Sequence, residues 1–196
     1  GERSRGEVGL IITGGFAPNF RGRVSPFASQ LSFKWQVKNH QKITRAVHRD
    51  GGKIVLQILH AGRYAYHPFS VAPSALKAPI GLFKPSALTE KGIWKTIKDY
   101  AECAGLAQDA GYDGVEIMGS EGYLINEFIA LRTNKRKDQW GGDYKNRIKF
   151  PLEILKSVRK KVGENFIVIF RLSMLDLVKG GSNWDEIKLL AKEVEA

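Results

Sequence analysis

A single tyrosine, Tyr123, lies in a glycine-rich polar loop that directly follows the apolar run at residues 114–118. In an α/β protein such a loop marks the carboxyl end of a strand, where a rigid sheet holds functional side chains in place. A second polar segment, residues 131–147, carries several charged and planar side chains, including Arg132. Because a bare scaffold would not need so many polar groups there, we predict that these two loops form the functional site.

Two polar side chains interrupt other apolar runs. Gln57 lies within residues 53–59, and a buried amide that finds no hydrogen bonds is strongly destabilising. An amide offers an acceptor and two donors, which suits the edge of a planar heterocycle, although neighbouring backbone groups are an alternative partner. Arg171 lies within residues 166–172. We expect this strand end to be buried, so its guanidinium group requires an anionic ligand, carbonyl groups or, as the plainer alternative, a carboxylate of the protein.

Several other residues carry weaker signals. Gly14 and Gly15 follow the first apolar run, where they allow a backbone to approach a ligand closely or simply form a tight turn. His60 has no His, Cys or carboxylate at ligand spacing, so we predict no metal site. Cys103, the single cysteine, lies on an apolar helical stripe and is interpreted as a small buried side chain. A Gly-x-Gly-x-x-Gly nicotinamide fingerprint does not follow any of the apolar runs.

The elements that must position these residues alternate regularly. Four apolar runs without polar alternation predict buried parallel strands, at residues 8–13, 53–59, 114–118 and 166–172. Four helical patterns follow them, and the order predicts an α/β fold with a parallel sheet. The sheet is either open and doubly wound or part of a (β/α)8 barrel. We expect Thr89 to begin the second helix, and Gly51, Gly111 and Gly163 to end the first three. Pro151 should lie in the first turns of the third helix. Ser182 with Asp185 should cap the last helix.

The charge of the chain restricts its partners. Its 196 residues include 31 basic and 20 acidic side chains, a formal net charge of +11. An excess of this size suggests anionic partners such as nucleic acid, a membrane surface or a phosphate-bearing ligand. The basic residues are scattered, which favours solvated surface or a phosphate-bearing ligand over nucleic acid. No apolar stretch approaches the roughly 18 residues of a membrane span, and the chain opens without an apolar leader. We therefore expect a cytoplasmic protein without nucleic-acid or membrane partners.

Taken together, the motifs resemble the flavin barrels of the old yellow enzyme family, and within it the bacterial-type 2,4-dienoyl-CoA reductases. The matching segments are residues 14–18, 51–63, 72–76, 111–128, 131–134, 138–144 and 171–176. Old yellow enzymes that reduce enones usually carry a His, and an Asn or second His, just before the tyrosine to hold a substrate carbonyl. Met118 and Glu121 stand at these positions here. Methionine donates no hydrogen bond, so this departure disfavours a simple enone reductase and resembles the dienoyl-CoA branch.

The resemblance implies a TIM barrel that holds FMN at the carboxyl ends of its strands. It implies that Gly15, Gln57 and Arg171 bind the cofactor, that Tyr123 is the proton donor and that Arg132 contacts the substrate. In this family reduced FMN passes hydride to the δ carbon of the dienoyl thioester, a reaction of fatty-acid β-oxidation, while the tyrosine protonates the chain. A cation beside the flavin would stabilise its anionic reduced form.

The resemblance further implies that residues 1–196 are one part of an FMN-binding TIM-barrel domain, about four consecutive βα units. The first barrel strand and the C-terminal barrel half would then lie outside this segment. FAD, NADPH and a 4Fe-4S cluster are expected in the same parent protein, whose remaining chain is the expected partner besides an acyl-CoA substrate. The isolated segment is expected to be inactive.

Two alternatives remain open. The chain could belong to another old-yellow-type FMN oxidoreductase, such as an enone reductase or a trimethylamine-dehydrogenase relative. It could also be a non-catalytic half-barrel module. The presence of Gln57, Tyr123 and Arg171 disfavours the module, because a decayed site need not keep polar side chains that are unfavourable to bury.

Overall fold

Parallel strands form the central sheet of the chain, whose computed structural model describes residues 1–195. In chain order the strands are β1 (Ile11–Phe16), β2 (Ile54–Ile58), β3 (Val71–Ala72), β4 (Ser86–Ala87), β5 (Gly114–Gly119) and β6 (Ile167–Leu172). The central sheet has the order β1-β2-β5-β6, and every neighbouring pair is parallel. The short strands β3 and β4 pair separately within the loop that follows β2. The predicted parallel sheet in sequence order is therefore confirmed.

Helices connect these strands. They are α1 (Glu2–Arg5), α2 (Val37–Arg49), α3 (Glu90–Asp109), α4 (Leu124–Ile129), α5 (Tyr144–Val162) and α6 (Trp184–Glu195). The predicted start of α3 is correct, since the Thr89 hydroxyl accepts a hydrogen bond from the Gly92 amide at 3.1 Å. Gly111 follows this helix with a φ of +81°, a conformation that glycine adopts without strain. Four consecutive βα units result, with α2, α3, α5 and α6 as their helices.

The two faces of the sheet differ in character. Side chains alternate along each strand, so Leu56 and Ile58 of β2 share a face with Val115 and Ile117 of β5. All four are fully buried in the main apolar core. The stacked rings of Phe128 and Phe150 extend this core between α4 and α5, and complete burial of such side chains contributes roughly 1.5–3 kcal/mol each. The opposite face carries the polar residues Gln57, Glu116 and Arg171.

The first strand begins and ends later than predicted. It covers Ile11–Phe16, so Gly14 and Gly15 lie within the strand and not after residue 13. The pairing with β2 shifts between Ile12 and Gly15, which is an irregularity of the bulge type. At this irregularity the Thr13 hydroxyl accepts a hydrogen bond from the backbone N–H of Gln57 at 3.0 Å. The Thr13 hydroxyl thus takes the place of a backbone carbonyl acceptor between β1 and β2. The strand can therefore continue through Gly14 and Gly15.

Two helix predictions are corrected. Pro151 lies well inside α5, because the helix already begins at Tyr144. Early in that helix the Arg147 guanidinium donates to the Ile129 carbonyl and to Glu186, so tertiary contacts extend the helix toward its N-terminus. The cap of α6 is Asn183 and not Ser182: the Asn183 side chain accepts from the Glu186 amide, and the Glu186 carboxylate accepts from the Asn183 amide, both at 3.0 Å. This reciprocal pair is a capping box.

The segment between β5 and α5 contains a helix that the sequence did not predict. It contains α4, a six-residue helix whose side chains are all buried. A helix this short shows little periodicity, so sequence reasoning missed it. Among residues 1–195, no helix combines the length and apolar character needed to cross a membrane.

Candidate active site

Three residues form a continuous row across β1, β2 and β5. Gly15 pairs with Gln57, and Gln57 pairs with Glu116. The Gln57 Nε2 donates to Glu116 Oε1 at 2.7 Å, so the amide is satisfied by a buried carboxylate and not by backbone groups. A Cβ at Gly15 would lie 2.8 Å from the Leu59 side chain and 3.2 Å from Gln57 Oε1. The row therefore requires glycine at position 15 and holds the Gln57 amide in one orientation.

Arg171 lies further toward the carboxyl end of the same sheet face, where it pairs with Met118. Its side chain is not buried, because β6 is the last strand of this sheet and leaves it 48% exposed. Its Nη2 lies 3.2 Å from Glu121 Oε1. The carboxylate partner considered from the sequence is thus present, while the exposed half of the guanidinium group remains accessible to a further anion.

The loop after β5 projects Tyr123 from this end of the sheet. Glu121 and Gly122 both have positive φ, +63° and +76°, which turns the chain sharply before α4. A Cβ at Gly122 would lie 2.7 Å from the Tyr64 ring, so glycine is required there too. The Gly122 amide donates to the Asn126 side chain at 2.8 Å, and Tyr123 takes the N-cap position of α4. Tyr123 packs edge-to-face on Tyr64 with 6.1 Å between ring centroids.

The electrostatic surroundings of Tyr123 keep its hydroxyl protonated. Burial raises the pKa of Tyr123 above its ordinary value, and the negative charge of Glu121 and the neighbouring Tyr64 raise it further. The hydroxyl forms no hydrogen bond with another residue in the range 1–195. A protonated, unpaired and partly exposed phenol of this kind can donate a proton to a ligand.

Arg132 lies on the wall of a cleft of about 300 Å³ next to this loop. The cleft is also lined by Tyr64 and Gly122, so it opens beside the Tyr123 ring. The Arg132 amide donates to the Gly180 carbonyl at 2.7 Å, which joins the segment after α4 to the loop after β6. The structure thus brings Arg132 to the same end of the sheet as Tyr123 and Arg171.

Sequence reasoning missed three residues of this region. Glu116 is a lone acid within an apolar strand, a signal equal to that of Gln57. Tyr64 carried no signal, because its contact with Tyr123 is purely tertiary. Glu127 lies on α4, where burial raises the pKa of its carboxyl group to about 8 despite the nearby Arg63. His60 is fully buried, and burial together with the nearby His67 lowers its pKa to about 3, so its imidazole ring is neutral.

This arrangement of a parallel sheet with its polar groups at one end has known relatives. A sequence model of the NADH:flavin oxidoreductase / NADH oxidase family matches residues 1–196. The chain belongs to this family. The chain is 34% identical over 202 residues to the N,N-dimethylglycine/sarcosine dehydrogenase of Chromohalobacter salexigens, and the match covers 100% of the chain and 29% of the relative.

Solved structures confirm the fold class of this member of the NADH:flavin oxidoreductase / NADH oxidase family. A 2-naphthoyl-CoA reductase in complex with 2-naphthoyl-CoA superposes with a TM-score of 0.93 at 30% identity, over 99% of this chain and 32% of that one. The old yellow enzyme homologue from Zymomonas mobilis gives a TM-score of 0.88 at 31% identity, over 98% and 59%. The predicted old yellow enzyme family and partial TIM barrel are confirmed. The chain spans only part of the length of each of these relatives.

Proposed function

We propose that the protein containing this chain is an FMN-dependent oxidoreductase that reduces 2,4-dienoyl-CoA thioesters, with Tyr123 as the proton donor. The observation that carries the proposal is the state of Tyr123: its hydroxyl is protonated, lacks a hydrogen-bond partner among residues 1–195 and lies at the sheet end where Gln57 and Arg171 converge. The proposal also assigns the rest of the barrel, FAD, NADPH and a 4Fe-4S cluster to segments outside residues 1–196.

The residues at this end of the sheet fit a flavin. Gly15 has no side chain where a Cβ would collide with Leu59, so the backbone there can approach a planar ring. Gln57 uses one amide hydrogen on Glu116 and keeps a donor and an acceptor for a ring edge. The half-exposed Arg171 supplies positive charge on the same face. Bound FMN would supply the two electrons of the reduction, and these three residues would hold and orient it.

An apolar cluster beside Tyr123 fits the acyl chain of such a substrate. Its buried members are Leu59, Ala61, Ala65 and Met118, and Tyr123 packs against them. Met118 stands where enone reductases carry a hydrogen-bond donor, and it is 4% exposed within this cluster. A side chain without a hydrogen-bond donor at that point favours a hydrocarbon chain over a polar carbonyl group. Because Tyr123 packs against this cluster, its hydroxyl would protonate a carbon of the bound chain.

A second candidate function is amine oxidation, favoured by the similarity to a dimethylglycine/sarcosine dehydrogenase. A cationic amine would need a carboxylate near the flavin, and Glu121 is the carboxylate closest to Arg171 in this region. Because Glu121 already pairs with Arg171, its charge is partly neutralised. This geometry supports amine oxidation less well than reduction of a dienoyl thioester.

The test uses the full-length protein and the Tyr123→Phe variant, which keeps the ring and removes the proton. We expect unchanged FMN content and unchanged reduction by NADPH. Stopped-flow reoxidation of the reduced flavin by a 2,4-dienoyl-CoA should slow by on the order of 100-fold or more, the usual contribution of a positioned acid. The matched control is Tyr66→Phe, which removes a hydroxyl from an exposed tyrosine outside the site and should leave the rate unchanged.

Two outcomes would reject this assignment. Reoxidation of the Tyr123→Phe variant at the wild-type rate would remove Tyr123 from the mechanism. Flavin reduction by dimethylglycine or sarcosine, without reoxidation by dienoyl-CoA, would replace the thioester function with the amine function.

A further inference from the structure

A strongly basic groove of about 550 Å³ lies next to the cleft that contains Arg132. Its polar walls consist of five basic residues, Arg63, Lys77, Arg132, Lys135 and Lys179, and no acidic residue lines it. We call these five residues the cationic groove. Five of the 31 basic residues of the chain, which are scattered along the sequence, thus lie together at one place on the surface.

The charged groups of the cationic groove form no salt bridges within the part of the chain that the structure describes. None of the five side chains takes part in the ion pairs of residues 1–195. Elsewhere basic residues do find carboxylates, as Lys95 does with Asp99 and Arg147 with Glu186. Like charges gathered without counter-charges create a local positive potential, which attracts an anionic ligand.

Arg63 supplies a second, independent observation. It is only 9% exposed, yet its Nε has no hydrogen-bond partner among residues 1–195. An unpaired donor on a buried guanidinium group is unfavourable unless a ligand or water meets it. Arg63 lines both the cationic groove and the neighbouring cleft, so this unmet donor lies where the two join.

The groove and the cleft are adjacent, because they share two wall residues. Arg63 and Arg132 line both, and the cleft ends at Tyr64 and Gly122 beside the Tyr123 ring. A ligand with an anionic head and a long neutral arm can therefore place its head in the groove and its reacting end near Tyr123. Lysine and arginine side chains are suited to phosphate groups, arginine through paired hydrogen bonds and lysine as a point charge.

We propose that the cationic groove binds the phosphate groups of the coenzyme A part of the thioester substrate, an assignment that rests on the function proposed above. The nucleotide end of coenzyme A carries a diphosphate and a further phosphate ester, and its pantetheine arm is long and uncharged. The head therefore matches the groove, and the arm matches the path through the cleft toward Tyr123.

The test is a double variant of the full-length protein, Lys77→Gln with Lys179→Gln. Both lysines are exposed, so the fold should persist. We expect KM for a 2,4-dienoyl-CoA to rise on the order of 10-fold, since each exposed charge contact contributes modestly, with a much smaller change in kcat. The KM for the corresponding dienoyl-pantetheine thioester, which has no phosphates, should equal that of the wild type.

The matched control is Lys38→Gln with Lys42→Gln. It removes the same charge from exposed positions on α2, away from the groove, and should leave both KM values unchanged. If the control raises KM for dienoyl-CoA as much as the test variant, net charge and not the groove is responsible, and the proposal is overturned.

Calorimetric titration separates failure of this site from failure of the proposed function. Weaker binding of free coenzyme A to the Lys77/Lys179 variant would support the groove even if dienoyl-CoA is not turned over. Equal binding of coenzyme A to variant and wild type would overturn the groove assignment. A loss of NADP⁺ affinity with unchanged coenzyme A affinity would overturn it as well, since the phosphates would then belong to a dinucleotide.

Discussion

Gln57 has a defined orientation because two different groups flank its amide. Its nitrogen donates to Glu116, and its oxygen faces Gly15. The sequence marked Gln57 and Gly15 as candidates, yet their direct contact and the part played by Glu116 are visible only in three dimensions. A buried carboxylate that fixes an amide leaves the remaining donor and acceptor of that amide pointing in known directions.

Gly15→Ala should disturb this row. The new Cβ would lie 2.8 Å from Leu59 and press on the Gln57 oxygen at 3.2 Å, so one of them must move. We expect a loss of stability of about 1–3 kcal/mol, typical of overpacking, and weaker retention of FMN in the full-length protein. Thermal melting and flavin absorbance after gel filtration measure the two effects.

Gly14→Ala is the control for this change. A Cβ at Gly14 meets nothing within 4 Å, so the variant should melt and retain flavin like the wild type. Equal behaviour of the two alanine variants would show that close approach at Gly15 does not shape the site.

Helix α6 illustrates how local hydrogen bonds select an element boundary. Ser182 and Asp185 had the spacing of a cap, but Asn183 and Glu186 form it. The spacing of three residues is the same in both pairs, so the sequence alone does not choose between them. Glu186 decides the choice because it also accepts from Arg147, at 2.5 Å, and is thereby held between α5 and α6.

Asn183→Ala should remove the acceptor for the Glu186 amide. We expect a loss of stability of about 1 kcal/mol, the usual effect of losing an N-cap, measured by thermal or denaturant unfolding. Ser182→Ala tests the rejected cap: its Oγ has no partner among residues 1–195, so this variant should be nearly neutral. A larger loss from Ser182→Ala than from Asn183→Ala would reverse the assignment.

At the scale of the whole molecule, one sheet face is covered throughout, whereas the other is exposed on the two end strands. The helices cover the face of Leu56 and Ile117, whereas on the strands at the two ends of the sheet Ile12 and Ile167 remain 40% and 42% exposed. Exposed apolar side chains on strands without further partners are aggregation-prone. They are consistent with the proposal that further barrel strands belong to the complete protein.

The packing of the loop after β2 against α4 should make the stability of the molecule depend on pH through Glu127. Burial raises the pKa of Glu127 to about 8, against an ordinary value of 4.5. Between pH 4.5 and pH 8 the Glu127 carboxyl group is ionised in the unfolded chain but protonated in the folded protein. The stability contributed below about pH 4.5 is therefore lost progressively as the pH rises to 8.

Glu127→Gln replaces the titratable carboxyl group with a neutral amide. Relative to wild type, the variant should gain stability between pH 5 and pH 8, by at most about 5 kcal/mol at roughly 1.4 kcal/mol per pKa unit. Thermal melting across this range measures the difference. Glu164→Gln, a change at an exposed carboxylate, should give a difference that does not vary with pH. If the difference in melting temperature between Glu127→Gln and wild type does not vary with pH, Glu127 is ionised in the folded state.

Sequence by itself determined the architecture of this chain. Apolar runs, their spacing and glycines such as Gly111 predicted four parallel strands in sequence order with helical crossovers, and this is what forms. The predictions of strands and helices succeeded because their signals are local: they depend on neighbours within a few residues, whatever the rest of the chain does. The sequence also predicts that the functional site lies at the end of β5.

Only the tertiary structure decided which groups meet. The bulge in β1 brings Gly15 level with Gln57, the register of β5 sets Glu116 beside that amide, and the turn at Glu121 places a carboxylate on Arg171. The five basic residues of the cationic groove come from four separate loop segments. Such contacts depend on strand register and loop conformation, and a shift of one residue moves a side chain to the other face of the sheet. No local pattern in the sequence encodes them.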